Sequence, residues 1–439
     1  MRRVKLISSY AVQCKPFDFN IMNTVNIYRD AVAFCIEAFD KEWASLSVIE
    51  RTNERFNSAE HLVHTTKGNK AKYDFDARFY KFPCYLRRAA IQDALGCVSS
   101  YKSNLENWNK SKKGKQPTLT LNRFVMPSFY YKNMYLTSDK YHATIKVFLN
   151  NDWVWRKISF VKTDVKYLEN HFSHIEASAP TLEKRFGTYY LRFAFSENVV
   201  LNKTELSSQR VCAVDMGLNS DAVCTIMDAL GTVHDRKFIN FPCEKDQLHH
   251  LCNRIKKKQR QYGPQSVHKL WAYATHLNDE LSVKIATAIV NYAISMNVDT
   301  IVFEHLDMKT KIRGKSKQKL HLWRKNGIQA IATHKAHRSG IRISRVCAKN
   351  TSALAYDGSG HVIRDSKNHA LATFANGKRY NCDLSASYNI GARYFIRELL
   401  KPVGATQRSL ILAKVPELER RTTCTYHTLL ELNKALTSA

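Results

Sequence analysis

Three acidic residues in the second half of the sequence stand where an apolar run ends or a helix begins. Asp215 closes the run at 210–214, Glu304 follows the run at 298–303, and Asp383 precedes a helical pattern over 385–400. Phosphodiester hydrolysis needs an activated water and neutralised oxygens, which two Mg²⁺ ions about 3.5–4 Å apart supply. Carboxylates are the ligands that Mg²⁺ prefers, and Mn²⁺ accepts the same ligands. We therefore take this trio as the candidate catalytic and Mg²⁺-binding residues.

Each acid on its own also fits a structural role. Asp215 fits a turn after a strand, because aspartate is a common turn residue. Glu304 fits a solvated strand end, and Asp383 fits the N-cap of the helix behind it. The combination of three acids at three element ends, together with the charge of the chain, favours the catalytic interpretation.

The charge of the chain indicates a polyanionic partner. The 439 residues carry 68 Lys and Arg against 38 Asp and Glu, a formal net charge of +30. Such an excess is unfavourable in a compact chain unless a polyanion such as nucleic acid screens it. Two basic segments stand out, at 254–260 and at 308–340, and a solvated surface is the alternative for both. The candidate nucleic-acid contacts are Arg254, Lys256, Lys257, Lys258, Arg260, Lys311, Arg313, Lys315, Lys317, Lys319, Arg324 and Lys325.

Periodicity predicts the elements that must position the trio. Three strands at 210–215, 222–227 and 233–239 begin an RNase H-like sheet, and further strands follow at 298–303 and 341–346. Helices are predicted at 247–261, 277–296 and 385–400. The many leucines of 410–436 predict packing against this nuclease region.

The first 205 residues mix two periods. Residues 1–14 predict a strand, and helical spacing follows at 31–43 and 85–108. Alternation of period two then predicts strands at 119–124, 143–149, 153–160 and 189–196. The chain is therefore a multidomain α/β protein.

Three motifs around the acids resemble the TnpB family of transposon-encoded RNA-guided nucleases and the related compact type V, Cas12-like CRISPR effectors. Residues 213–217 (AVDMG) are similar to the first RuvC motif of that family, and 301–306 (IVFEHL) to the second. Residues 383–392 (DLSASYNIGA) are similar to the third, which usually reads Asp-x-Asn-Ala-Ala-x-Asn-Ile. The resemblance covers about 211–400, and the earlier residues match only in architecture.

The resemblance implies a domain organisation. A β-rich, barrel-like wedge domain over residues 1–15 and 118–205 is interrupted by a helical recognition domain over 16–117. Residues 206–439 then form the RuvC-like nuclease domain, with a ribbon-like insertion at about 347–381.

That insertion departs from the family. The family places a four-cysteine zinc ribbon there, whereas this sequence has Ala355 and Gly358 at the first cysteine pair and only Cys382 near the second. One or two thiols cannot make the tetrahedral site of structural zinc. We expect a ribbon without zinc, held together by Leu354, Tyr356, Val362, Leu371, Phe374 and Tyr380.

The implied function is that of an RNA-guided DNA endonuclease with a single RuvC site, which binds a guide RNA (omega RNA or CRISPR RNA) and reads a short motif in double-stranded target DNA. Three alternatives remain open: a nuclease-inactive guided repressor, a transposase and a plain RNA-binding module. The eleven cysteines include no CxxC, and no run of about 18 apolar residues exists. We therefore expect no membrane partner and a location in the bacterial or archaeal cytoplasm, near the nucleoid.

Overall fold

The chain divides into two compact units. The computed structural model describes residues 3–437 except 113, 123, 132, 218–219, 306–323, 367 and 369. We call residues 7–197 the amino-terminal unit, and residues 1–6 with 198–439 the carboxy-terminal unit. In the part of the chain that the structure describes, no helix combines the length and the apolar character needed to cross a membrane.

Helices and strands are mixed in the first 205 residues. The helices are α1 (Met22–Lys41), α2 (Trp43–Ser47), α3 (Thr52–Val63), α4 (Phe75–Arg78), α5 (Cys84–Ser111) and α6 (Lys162–Phe172). The strands are β1 (Arg3–Gln13), β2 (Tyr135–Asp139), β3 (His142–Leu149), β4 (Asp152–Ser159), β5 (Thr181–Arg185) and β6 (Thr188–Val200). They form two three-stranded sheets, ordered β1-β6-β5 and β2-β3-β4.

One apolar core runs through the helices and both sheets of the amino-terminal unit. Phe39 of α1, Leu86 of α5 and Ile145 of β3 all belong to it. The predicted wedge and recognition domains therefore share a core, and the boundary between them stays a prediction.

The strand predicted at 119–124 is wrong, because the described residues of that segment form no strand. Leu119 and Leu121 are partly buried against the core of the unit. The apolar–polar alternation of 119–124 thus comes from two apolar side chains that pack onto the core, in a segment whose described residues form no strand.

A five-stranded sheet forms the centre of the carboxy-terminal unit. Its strands are β7 (Arg210–Asp215), β8 (Ala222–Asp228), β9 (Val233–Ile239), β10 (Thr300–His305) and β11 (Arg342–Cys347), in the order β11-β10-β7-β8-β9. β7, β8 and β9 form an antiparallel meander. β10 is parallel to β7, and β11 is parallel to β10. The predicted strands are confirmed, and the long apolar runs agree with strands that are covered on both faces.

Helices cover the two faces of this sheet. They are α8 (His268–Ser295), α9 (Lys325–Arg338), α10 (Cys382–Leu400), α11 (Ala405–Lys414) and α12 (Tyr426–Thr437). A further helix, α7 (Pro242–Tyr262), packs against α8. α10, α11 and α12 pack on one face, where Ile411, Leu418, Leu429 and Leu432 confirm the predicted packing of the last forty residues. α8 and α9 pack on the other face. α8 begins at His268, earlier than predicted, because Leu270 and Ala274 extend its apolar stripe onto α7.

The ribbon-like insertion contains a small antiparallel sheet of β12 (Ile363–Arg364), β13 (Leu371–Thr373) and β14 (Arg379–Asn381). Its apolar cluster consists of Ala355, Ala372, Phe374 and Cys382, with Tyr356, Val362 and Tyr380 packed against them. Leu354 and Leu371, which we expected in this cluster, lie outside it. The methyl group of Ala355 is fully buried.

Candidate active site

Asp215 and Glu304 lie side by side on neighbouring parallel strands. The register of β10 against β7 pairs the two residues that directly precede these acids. Side chains alternate between the faces of a sheet. Ala213 and Val302, two residues before each acid, pack into the cluster that includes α10. Both carboxylates therefore belong to the face of the sheet that carries α10.

Asp383 enters the site from the first turn of α10. The N-cap of this helix is Asn381, whose side chain accepts a hydrogen bond from the Leu384 N–H at 2.9 Å. Asp383 is therefore not the capping residue. α10 lies close to the sheet at Gly391, where a Cβ atom would stand 3.2 Å from the Cβ of Ala213. The absence of a side chain at Gly391 thus allows the helix to approach β7.

Burial is the main reason why the pKa values of all three acids are raised. Asp215 is 8% exposed and Glu304 is 7% exposed, whereas Asp383 is half-buried. Repulsion from Glu304 and Asp383 raises the pKa of Asp215 further. A proton or a cation relieves such repulsion. The structure thus brings the three predicted acids together, and the low exposure of Glu304 contradicts the alternative of a solvated strand end.

The carboxylate of Glu304 is held by the hydroxyl of Thr351, which lowers the pKa of Glu304 against the effect of burial. The main-chain carbonyl of Glu304 accepts a hydrogen bond from Gln329 Nε2 at 3.0 Å. Asn389 of α10 in turn donates to the Thr351 carbonyl at 2.9 Å. Thr351 therefore orients Glu304 and is itself fixed by α10. Sequence analysis gave Thr351 no role.

Arg364 of β12 brings a positive charge to the same acids. Its guanidinium lowers the pKa values of Asp215 and Asp383, opposing burial. The side chain of Arg364 is exposed. Sequence analysis missed this residue, because one arginine in a basic chain carries no distinguishing signal until the fold sets it beside the acids.

Two further positive charges act on Glu304. Arg393 and Lys325 both lower its pKa. Arg393 is 5% exposed, and burial lowers its own pKa. It donates to the main-chain carbonyls of Cys347, Lys349, Thr422 and Cys424, at 2.7–3.1 Å. Lys325 is 7% exposed. The structure therefore places this predicted nucleic-acid contact next to a carboxylate rather than on a basic surface.

The donor atoms of the trio fit Mg²⁺, although the side chains do not form a ready site. Among the residues that the structure describes, no three His, Cys, Asp or Glu side chains are arranged to hold a metal ion. Carboxylate oxygens are nevertheless the ligands that Mg²⁺ takes, and mutual repulsion among buried acids is what a cation offsets. Because the Thr351 hydroxyl holds Glu304, binding by all three acids requires their side chains to turn toward one point.

The predicted basic contacts of α7 lie on one helix face. The opposite face buries Leu248, Leu251, Cys252 and Ile255 against α8. Lys258 is half-buried, and exposed side chains are found at Arg254, Lys256, Lys257 and Arg260. Arg324 is half-buried and pairs with Asp279 of α8. Five predicted contacts lie outside the described residues: Lys311, Arg313, Lys315, Lys317 and Lys319.

Comparison with protein families and curated proteins gives one partial match. The profile of the Aq_aa04 family matches residues 8–149, which is less than half of the chain. No curated protein matches the sequence.

Solved structures match over most of the chain. The structure of the mini-RNA-guided endonuclease CRISPR-Cas_phi3 matches at a TM-score of 0.52 and 10% identity, covering 89% of this chain and 92% of that one. A Cas12f1–sgRNA–target DNA complex matches at 0.48 and 16% identity, covering 84% and 83%. CasPhi-2 (Cas12j) bound to crRNA matches at 0.42 and 9% identity, covering 89% and 98%. At the level of the fold, the first of these likenesses confirms the resemblance to compact type V effectors.

Proposed function

We propose that this chain is an RNA-guided DNA endonuclease whose catalytic residues are Asp215, Glu304 and Asp383. The observation that supports the proposal is that Asp215 and Glu304 follow paired residues of neighbouring parallel strands, and that Glu304 and Asp383 both raise the pKa of Asp215 by charge repulsion. The strand order β11-β10-β7-β8-β9 supports it, because an antiparallel meander extended by two parallel strands is the sheet expected of an RNase H-like, RuvC-type domain.

The trio would hold Mg²⁺, which when bound supplies an activated water and neutralises charge on the phosphate. The three acids must be ionised to do so, so their raised pKa values restrict activity at low pH. The Thr351 hydroxyl keeps Glu304 oriented and favours its ionised form. Arg364, exposed beside Asp215 and Asp383, would contact a phosphate oxygen of the substrate.

The proposed partners are a guide RNA and double-stranded target DNA. A net charge of +30 and the exposed cations of α7 suit the backbone of a nucleic-acid duplex. The likeness in fold to an RNA-guided endonuclease suggests that base pairing with a guide supplies the sequence specificity.

The first experiment is to purify the protein without nuclease treatment and to sequence the RNA that accompanies it. The complex is then given DNA duplexes that match this RNA, with Mg²⁺. We expect a defined RNA and cleavage of matched duplexes, and we expect Asp215→Ala to abolish the cleavage. Asp246→Asn is the matched control, because Asp246 is an exposed acid of α7. Purification without any specific RNA would contradict the proposal.

A second candidate is a guided DNA-binding protein that does not cut. The observation that favours it is that the described acids form no ready metal site and that Thr351 holds Glu304. The same experiment separates the two candidates. Tight binding of matched duplexes with no cleavage in Mg²⁺ or Mn²⁺ would support the non-cutting protein.

A further inference from the structure

A cavity of about 400 Å³ in the carboxy-terminal unit lies where β10 and β11 begin, whereas Glu304 lies near the other end of β10. It opens beside Thr300 and Arg342, the first residues of β10 and β11. Glu304 stands four residues further along β10. At about 3.3 Å per residue, this amounts to roughly 13 Å along the strand. On α10 the lining begins at Tyr394, eleven residues or about 16 Å after Asp383. Arg345 brings the lining closer to Glu304, but none of the three acids lines the cavity.

Two residues that line this cavity, Thr300 and Arg342, carry buried donor groups. Nε and Nη2 of Arg342 are buried and have no hydrogen-bond partner among the described residues. Oγ1 of Thr300 is also buried, and it lies close enough to the Tyr394 hydroxyl to lower the pKa of that tyrosine. Thr300 is only 2% exposed. The neighbouring Tyr394 hydroxyl donates its own proton to Gln209 Oε1 at 2.5 Å. Because buried polar groups are almost always hydrogen-bonded, two unpartnered nitrogens of one arginine beside a cavity indicate a ligand that accepts hydrogen bonds.

The charges around the cavity indicate that this ligand is an anion. Arg342, Arg345, Arg397 and Lys401 line it, and the carboxylate among its described lining residues is that of Glu398. Glu398 is bonded to Arg397 Nε at 2.9 Å and to Lys401 Nζ at 2.6 Å. Arg342 therefore lines the cavity, and no carboxylate of the described residues is bonded to its Nε or Nη2.

We propose that this cavity binds a phosphate group, with Arg342 and Thr300 as its main donors. The guanidinium offers a planar pair of N–H groups that matches two phosphate oxygens, and the Thr300 hydroxyl would donate to a third by turning from Tyr394. The volume suits a phosphate with part of a nucleotide attached. A phosphate of an RNA backbone and a free phosphate share this chemistry. The proposal does not depend on DNA cleavage.

The test is calorimetric titration of inorganic phosphate into the full chain at constant ionic strength. Wild type is compared with Arg342→Gln, Thr300→Val and the control Arg408→Gln, which removes an exposed charge of α11. We expect one saturable site, weakened about tenfold or more by Arg342→Gln and severalfold by Thr300→Val, and unchanged in the control. Equal binding by all four proteins, or no saturable binding by wild type, would mean that the cavity holds only water.

Two further measurements make the result specific. Thermal unfolding followed by circular dichroism checks that each variant folds. Thr300→Val, which keeps the shape of a β-branched side chain, provides the test if Arg342→Gln does not fold. The titration is then repeated with a ten-nucleotide single-stranded RNA present. Loss of phosphate binding, together with weaker RNA binding by Arg342→Gln, identifies the ligand as a backbone phosphate. Retained phosphate binding identifies it as a free phosphate or nucleotide.

Discussion

Replacing Asp215 with asparagine should stabilise the protein when no divalent cation is present, while removing an acid that the proposed cleavage requires. Asp215 is buried, and its raised pKa follows from that burial and from repulsion by Glu304 and Asp383. Asn has nearly the same shape and carries no charge. The substitution therefore removes the electrostatic penalty and leaves the packing of β7 in place.

The size of the effect follows from the spacing of the strands. Neighbouring strands lie about 4.8 Å apart, and two unit charges about 5 Å apart repel by about 3 kcal/mol at an effective dielectric constant of about 20. We expect the free energy of unfolding to rise by about 1–3 kcal/mol. For a unit of this size, this corresponds to an increase of about 2–10 °C in the unfolding temperature.

The dependence on pH follows from the direction of the pKa shift. An acid whose pKa is raised by folding binds more protons in the folded state, so wild type loses stability as the pH rises from about 4 through the raised pKa of Asp215. Asp215→Asn lacks this loss. The difference between the two proteins should therefore be large at pH 7.5 and small near pH 4.

The assay is thermal unfolding in EDTA at pH 4 and pH 7.5, with Asp246→Asn as the control. The exposed Asp246 should give a change within about 0.5 kcal/mol at both pH values. If Asp215→Asn is no more stable than wild type at pH 7.5, the account of three acids that repel one another is wrong.

Three further predictions concern the surroundings of the trio. Thr351→Val should raise the pKa of Glu304 and shift the acid limb of the cleavage-rate profile to higher pH; an unmoved limb would mean that the hydroxyl does not act on Glu304. Gly391→Ala should cost about 1–3 kcal/mol in urea unfolding, because its Cβ would meet Ala213 at 3.2 Å; unchanged stability would show that α10 is not tightly packed there. Four exposed cations of α7 can be replaced together by Gln: Arg254, Lys256, Lys257 and Arg260. For duplex binding, the slope of log K against log salt concentration should fall in magnitude by about 0.9 per lost phosphate contact. An unchanged slope would show that this face of α7 does not contact the duplex.

The three central strands of the sheet, β7, β8 and β10, could be predicted from the sequence because they are nearly continuous apolar runs that end in turns or polar residues. The two strand-bound acids were found for the same reason, since each stands at the end of such a run. Sequence periodicity also gives the face of each residue, but it does not give the register of β10 against β7. That register brings Asp215 and Glu304 side by side, and it depends on the tertiary fold.

Thr351 and Arg364 could not be predicted, because their roles come from neighbours far away in the sequence. Thr351 reaches Glu304 across 47 positions, and a lone threonine carries no pattern that announces such a contact. The strand expected at 119–124 failed for the opposite reason. There the pattern was present, but the described residues of the segment form no strand.

The most direct test of the central claim is cleavage of a guide-matched DNA duplex in Mg²⁺ by RNA complexes of wild type, Asp215→Asn and Asp246→Asn, with duplex binding measured in parallel. We predict that all three complexes bind the duplex equally and that wild type and Asp246→Asn cut it, whereas Asp215→Asn does not. Cleavage by Asp215→Asn at the wild-type rate would contradict the assignment of the active site.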